Sequence, residues 1–525
     1  MKKIIFLLSL MTISLSNAQD LTVASGALLT IANEGGVYVT GDFENSGTTN
    51  FTSKSDAFGA LIIRGNITAG NDFTYNRYVN IVGSGEWDLI GSPLENASIN
   101  TFVTDNAAAI ATANDGTDTH YALGTYDHVN DIWTNYTSAT VASAGNFDLG
   151  MGYQMATLSG ATLAFNGSMS LTYVTQSIIN ERGDPVTSPR GRWNLIANPY
   201  PSYLNANLNA DPVNNFLKVN LDSGVIDATY SAIYGWKADG TGYELYNYIS
   251  DATYIAPGQA FWVAAASSTA ADVSFTEAMQ TLNGGDDFVL ARGNNTSTEF
   301  FLKLYEGQNF IADSRFYFKN GLSQGLDPGY DAGAFNQSME LMSSLPTDDQ
   351  GIGMSINAVS SDIFNTTDGI PLIVNRTANI PFRLSLEDSN LDSDVDVYLY
   401  DKQQGTYTDL SFQDFTLTPT SNLSGKGRFY VVFSPTSLGV NDLDNNLDIS
   451  IYKAFDQNQI NIEGLANVRI ANVQLYNIIG QEVLNKRLSA NKFKHSVSTI
   501  GLKTGIYILK LEADTSIITK KLIIN

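Results

Sequence analysis

GRWNLIANPYPSY, residues 191–203, restates a pattern met earlier as GEWDLIGSPLENA at 85–97, with Trp193 answering Trp87 and Pro199 answering Pro93. Each copy opens on a short apolar run and halts at a proline, as a strand that can no longer extend its ladder does. The correspondence continues downstream. YDHVNDIWTNY (126–136) aligns with YGWKADGTGYELY (234–246), LGMGYQM (149–155) with APGQAFWV (256–263), and AFNGSM (164–169) with SFTEAM (274–279). The offset stays between 106 and 110 residues, as a duplicated unit with small loop insertions requires. Two tandem β-sandwich-like repeats, 83–180 and 181–284, are the expectation. The Asp239-Gly240 pair marks a hairpin, because a tight primed turn needs positive φ at its centre. Trp87, Trp193, Trp236 and Trp262 are candidates for sugar-stacking platforms, but their alternation with polar residues favours core aromatics.

Working outward toward the N-terminus, residues 19–82 repeat a smaller theme of three to five strand residues followed by a glycine-rich corner. That spacing suits a short β-solenoid, in which each rung covers its apolar face only by stacking on a neighbour, with an ordinary sandwich as the other solution. Before it stand Lys2, Lys3, an apolar run from Ile4 to about Leu15 and a small-residue cleavage site between Ala18 and Gln19. A helical run of that size spans about 18 Å against the roughly 30 Å of a bilayer core, so 1–18 reads as a signal peptide and not as an anchor. No later stretch is long and apolar enough to be a transmembrane helix.

Toward the C-terminus, FFLKLYEG (300–307), SRFYFKNG (314–321), VDVYLYD (395–401) and GRFYVVF (427–433) alternate with period two, giving a further β-sandwich over 285–436. Helical periodicity is nearly absent after the signal peptide. A polar stretch without strand pattern, 437–446, is the linker. Past it the composition changes. Residues 447–525 hold ten basic and six acidic side chains, a net +4 in a chain of net charge −24, which leaves −28 for the remainder.

This last segment reads DISIYKAF, QINIEG, ANVQLYNIIGQEVLNKR, FKHSVSTIGLKTGIYILKLEA and SIITKKLIIN, about seven short strands in some eighty residues. Such a length fits an Ig-like β-sandwich. It closely resembles the type A C-terminal sorting domain of type IX secretion system cargo. The resemblance rests on the Asn477–Gly480 hairpin, the entry Thr504-Gly505-Ile506-Tyr507 into a strand, and the terminal Lys520-Lys521-Leu522-Ile523-Ile524. Gly480 and Gly505 are each expected to supply a chain reversal. The final strand, Ile517–Ile524, is expected at a sheet edge with a cationic rim. Two positions depart from the family pattern: Asn525 ends the chain where a charged residue is common, and Glu482 replaces the usual lysine.

What the resemblance implies is a route. The signal peptide delivers the chain to the periplasm, an outer-membrane translocon and a barrel-shaped shuttle protein recognise residues 447–525, and a sortase-like peptidase removes them near Ser437–Asn446. The mature protein is then secreted through the outer membrane, to the cell surface or beyond.

Charge and composition exclude much else. An acidic chain with no cluster of Lys and Arg repels a phosphate backbone, so no nucleic-acid partner is expected. No cysteine is present, which removes disulfides and thiolate chemistry. GLSQG (321–325) fits the template of a nucleophile elbow at Ser323, but Pro328 and Gly329 oppose the helix the motif needs, and the only downstream histidine is His495 in the tail. His120 and His128, the only others, show no metal-ligand spacing. Asp392, Asp394 and Asp396 resemble the start of a calcium loop, but Val397 stands where Gly is required and Gln403 where Glu is. An EF-hand is excluded, leaving these aspartates as candidates for another calcium site or as solvated carboxylates; no other cofactor and no catalytic residue is assigned. The whole is an all-β multidomain protein whose exported part is expected to be an adhesin or other binder of an unknown extracellular ligand. The alternatives are a secreted hydrolase acting on polysaccharide or protein, and a purely structural surface component of gliding or biofilm.

Overall fold

The computed structural model describes residues 15–81, 87–183, 190–237, 242–287, 298–347, 349–366, 369–393, 395–433, 450–453, 459–463, 465, 471–489, 492, 494–513 and 516–524. The expected linker 437–446, most of the expected signal peptide, the expected Asp239-Gly240 turn and Asp394 lie outside them. The protein is all-β and multidomain, and among the described residues there are two α-helices beside the strands. Neither helix is long and apolar enough to cross a membrane. Two compact units divide the chain: one is Met1–Ser297 with Asp327–Phe335, the other Thr298–Leu326 with Asn336–Asn525.

The first unit begins as a coil of rungs. Leu15–Ala18, Gly36–Val39 and Ala60–Ile63 stack in parallel. So do Leu21–Val23, Phe43–Asn45 and Ile67–Ala69, and likewise Leu28–Ile31, Thr48–Phe51 and Phe73–Val79. Each circuit of the chain thus adds one short strand to each of three stacks. Phe43 lies over Phe73 at 5.9 Å and Phe51 over Tyr75 at 5.0 Å, filling the interior that no single rung can fill. The corners are tight enough that a Cβ at Gly47 or Gly65 would run into the backbone of the preceding turn.

The third stack does not end at residue 82. Phe73–Val79 also pairs antiparallel with Ala161–Gly167, from beyond that expected boundary, and one hydrophobic core runs from Val23 to Met169. An edge strand left bare would have been a liability, and Ala161–Gly167 covers it. Val174–Ile178 likewise pairs with Ala271–Phe275 and shares a core with residues up to Met279 although it precedes the expected boundary at residue 181.

Between residues 87 and 287, Asp88–Ile90, Tyr153–Met155 and Thr119–Asp127 form one sheet, flanked by Thr112–Asn114 and Ile132–Thr137. Trp193–Ala197, Ala260–Ala264, Ile233–Trp236 and Tyr243–Tyr246 form another. Each sheet is accompanied by a seven-residue helix, Ile99–Asp105 and Phe216–Asp222, which the strand patterns do not anticipate. Two turns are too short to establish a helical period, and the helices stand because they are capped and packed. Ser98 accepts from the Thr101 amide and Asn215 from that of Lys218. Ile99, Phe102 and Val103 are buried in one, Phe216 and Leu217 in the other.

Asp327–Phe335 completes this unit from later in the chain. Phe335 lies 4.4 Å from the rings of both Trp193 and Tyr243, the Tyr234 hydroxyl donates to the Gly333 carbonyl at 2.7 Å, and the Gly329 amide donates to Ser231 Oγ at 2.6 Å.

In the second unit one sheet runs in the order Thr406–Asp409, Val397–Asp401, Lys426–Phe433, Ile370–Val374, Leu341–Ser343, Met354–Val359, Asn309–Phe318, Thr298–Glu306, Phe382–Glu387, Phe415–Leu417. Phe415 on one edge strand meets Phe429 of the third strand from the other edge at 5.6 Å, so the sheet rolls around a single core. The tail forms two sheets of its own, Ser450–Lys453, Gln459–Glu463, Lys494–Ser498 and Glu482–Leu488, Ala471–Asn477, Gly505–Ala513, Ser516–Ile524, around a core that draws on no residue before Ile451 among those described.

Candidate functional site

The tail's functional candidates gather at one end of its four-stranded sheet. Asn477 is opposite Tyr507, Tyr507 opposite Leu522, and Gly505 opposite Ile524. The 477–481 turn, the 499–505 loop and the close of the final strand therefore share one end. Asn477 organises the turn: its side-chain oxygen accepts from the Gln481 amide at 3.0 Å and the Ile479 amide at 3.2 Å, while its carbonyl accepts from the Gly480 amide at 2.9 Å. Gly480 has φ 77°, the left-handed region where a side chain is opposed.

Gly505 differs from expectation. It is the first residue of a strand without positive φ, and the left-handed residue of that reversal is Gly501, at φ 90°. The turn closes where the Leu502 amide donates to the Thr499 carbonyl, ahead of the point chosen from sequence, and Tyr507 ties the loop down by donating its hydroxyl to the Lys503 carbonyl at 2.7 Å. Gly480→Ala and Gly501→Ala are each expected to destabilise the tail by about 1–2 kcal/mol, and Gly505→Ala by under about 0.5 kcal/mol. Hydrogen exchange of tail amides in the full chain reads the difference; equal protection in all three variants would contradict it.

Ile478, Ile479 and Ile500 project from this end and are among the most exposed large apolar residues described. Lys503 and Lys520 are exposed, whereas Lys521 is half-buried and desolvation pushes its ammonium below the usual lysine range. Among the described residues Ser516–Ile524 is an edge strand paired with Gly505–Ala513. Elsewhere in the tail Lys494 pairs with Glu463 at 2.7 Å and Lys510 with Glu512 at 2.8 Å. His495 is buried, and desolvation, aided by the Lys492 charge, lowers its pKa.

In the remainder, Ala18 closes the strand Leu15–Ala18 and Gln19 follows it, exposed, so a cut between the two would take that strand from its stack and leave Gly36–Val39 paired with Ala60–Ile63. Ser323 lies in a loop with no helix after it, its Oγ accepting from the Gly325 amide. His120 meets Asp115 at 2.9 Å and His128 meets Glu181 at 2.8 Å. Asp392 and Asp396 do not share a pleated face: the strand starts only at Val397, and Asp392 begins a turn in which its carbonyl accepts from the Val395 amide. Asp396 lies near Asp409, whose carboxyl is pushed up to about 6 by burial and then by the Asp396 charge. Among the described residues no group of three or more His, Asp or Glu could hold a metal ion. Trp193 and Trp262 are buried, Trp87 and Trp236 are half-buried, and Trp133, which no motif singled out, is 37% exposed.

One buried charge cluster escaped the sequence reading. Arg77 donates to the Pro257 carbonyl at 2.9 Å, the Tyr78 carbonyl at 2.9 Å and Asp287 at 2.6 Å, with Phe58 under its guanidinium. Burial, then the Asp287 charge, raises the Asp88 carboxyl to about 7, and Asp286 rises for the same two reasons. A carboxyl raised in the folded state binds its proton more tightly there than in the unfolded chain. Its contribution to stability is full below the ordinary value of about 4 and is lost as pH climbs through about 7. Thermal scans of the first unit should therefore show higher midpoints at pH 5 than at pH 8, and Asp88→Asn should flatten the profile. An unchanged slope in that variant would show that the cluster does not govern it.

The family model described as Domain of unknown function (DUF8693) matches residues 8–433, and the model described as Secretion system C-terminal sorting domain matches residues 443–525. No curated protein matches the chain. Among solved structures, a DUF3244 family protein with an immunoglobulin-like β-sandwich fold from Bacteroides vulgatus ATCC 8482 is 12% identical over 16% of this chain and 93% of its own, with a TM-score of 0.14. Dimeric latent PorU from Porphyromonas gingivalis is 10% identical over 43% of this chain, which spans only 29% of it, at 0.13. A tetra-tandem repeat in the extending region of a large adhesion protein is 9% identical over 84% of this chain and 99% of its own, at 0.12. Overlap this low supports no shared fold.

Proposed function

The chain belongs to the family described as Domain of unknown function (DUF8693) and ends in a secretion system C-terminal sorting domain, and from that premise we propose that its exported part is an adhesin, a surface protein that binds an extracellular ligand. The route is that of the tail: the chain is type IX cargo, exported through the outer membrane to the cell surface or extracellular space, and its sorting domain engages the type IX machinery and a sortase-like peptidase. The finer steps are part of the proposal. A signal peptide cut between Ala18 and Gln19 opens the route, the end of the tail bearing Ile478, Ile479 and Ile500 docks on the barrel-shaped shuttle, and the peptidase cuts within 437–446. Exposed isoleucines beside a sheet edge with no partner strand among the described residues suit such docking.

The observation carrying the binding reading is an apolar tip on a packed scaffold in the exported part. Val129, Ile132 and Trp133 are exposed together at the turn joining Thr119–Asp127 to Ile132–Thr137. Arrays of glycans and matrix proteins probed with the exported chain test it. Saturable binding to either supports the reading, and binding to neither removes it.

A further inference from the structure

Resting on that binding reading, we propose that the tip of this hairpin is a carbohydrate site, in which the indole of Trp133 stacks on a pyranose ring of a neutral polysaccharide. The ring is held in place before any ligand arrives. Tyr126 lies 5.1 Å from it at a tilt of 53°, and Trp262, itself buried, meets it at 6.0 Å and 72°. Tyr126 and Trp262 in turn pack edge to face at 4.7 Å. A large aromatic surface, immobilised from behind and open in front, binds with little loss of side-chain freedom.

The rim supplies the polar half of such a site. Asp131, in the left-handed region at φ 57°, accepts from the Tyr126 hydroxyl at 2.8 Å and from Arg190 Nη1 at 3.0 Å through the same oxygen. The side chains of Arg190 and Asp131 remain 43% and 46% exposed. His128 and Glu181 form a second pair at 2.8 Å. Guanidinium and carboxylate are planar groups that can meet two adjacent hydroxyls at once, and a few polar groups around an apolar face fix a ligand's orientation.

Charge and size choose the occupant. Among the described residues Arg190 is matched by Asp131 and His128 by Glu181, which leaves neither cation in surplus for a uronate or sulfate, and the −28 carried outside the tail repels anionic chains. Ile132 and Trp133 are consecutive strand residues and face opposite sides of the sheet, so the apolar surface around the indole is small, whereas a stable protein partner needs roughly 800 Å² on each side. A sugar ring needs far less.

Affinity electrophoresis of the exported chain in gels containing laminarin, glucomannan or xylan, with polygalacturonate as the anionic comparison, tests the site. Retardation is expected in at least one neutral polysaccharide. Trp133→Ala should weaken it roughly tenfold or more, Trp133→Phe less, and Arg190→Ala several-fold. Should Trp133→Ala lose its thermal transition, Arg190→Ala decides alone. Retardation unchanged in both alanine variants, or confined to polygalacturonate, overturns this site. Binding only to a matrix protein also overturns it while leaving the adhesin reading standing. Binding to no polysaccharide and no matrix protein ends both.

Discussion

A chain ending at Asn446 is expected to cross the inner membrane, fold, and remain in the periplasm, with its surface signal reduced to background. Removing residues 447–525 takes away a body whose described sheets and core are closed on themselves, so none of the buried residues that hold Val23–Met169, Val174–Met279 or Phe300–Phe433 together is lost. The loss is one of recognition, not of folding. Protease shaving of intact cells and fractionation separate the two outcomes: an intact, protease-resistant cargo in the periplasm is the expected result. Undiminished display at the surface would strip the tail of its role, and disappearance of the cargo altogether would mean that the tail is needed for stability.

Trp193→Ala should give the largest stability loss of any single change in the first unit, about 3–5 kcal/mol, the range for removing a buried tryptophan. Its ring is 1% exposed and has Tyr230 at 5.4 Å, Tyr234 at 4.6 Å and Phe335 at 4.4 Å around it. Large rings packed this closely cannot collapse into the space it leaves, and Tyr234 is further held by its hydroxyl's hydrogen bond to the Gly333 carbonyl. Phe335→Ala, at a half-buried position, should cost less but act on the same transition, because it opens the same cluster from the other side. Urea unfolding followed by aromatic circular dichroism checks both. A Phe335 variant that left this transition untouched would remove Asp327–Phe335 from the unit's core.

Much of this architecture was readable because strands that face one core write their burial into alternation. Val473 and Leu475, or Leu509 and Leu511, are buried at every second position, and no distant information is needed to see it. What escaped notice depends on partners far away in the chain. Arg77 meets Asp287 across 210 positions, and Phe73–Val79 finds Ala161–Gly167 across the expected limit at residue 82. Nothing local distinguishes those residues from surface ones. Gly501 and Gly505 were hard to rank for a different reason: both can reverse a chain, and only the closure between Thr499 and Leu502 selects the first. The two helices carried a usable signal in Ser98 and Asn215, each placed just before an apolar residue, but seven residues cannot outweigh the strand patterns around them. Trp133 was hidden by its polar company, since WTNYT reads as an ordinary edge strand until the exposure of the ring is known.

The capture of Asp327–Phe335 by the first unit sets a timetable for its maturation. Synthesis and translocation deliver a chain from its beginning, so Trp193, Tyr234 and Tyr243 emerge nearly a hundred positions or more before the phenylalanine that caps them. During that interval the sides of these rings that Phe335 covers stand open. Periplasmic chaperones that shield apolar surface would have their chief client here, and a pause in translocation between residues 297 and 335 would leave the chain in its most aggregation-prone form.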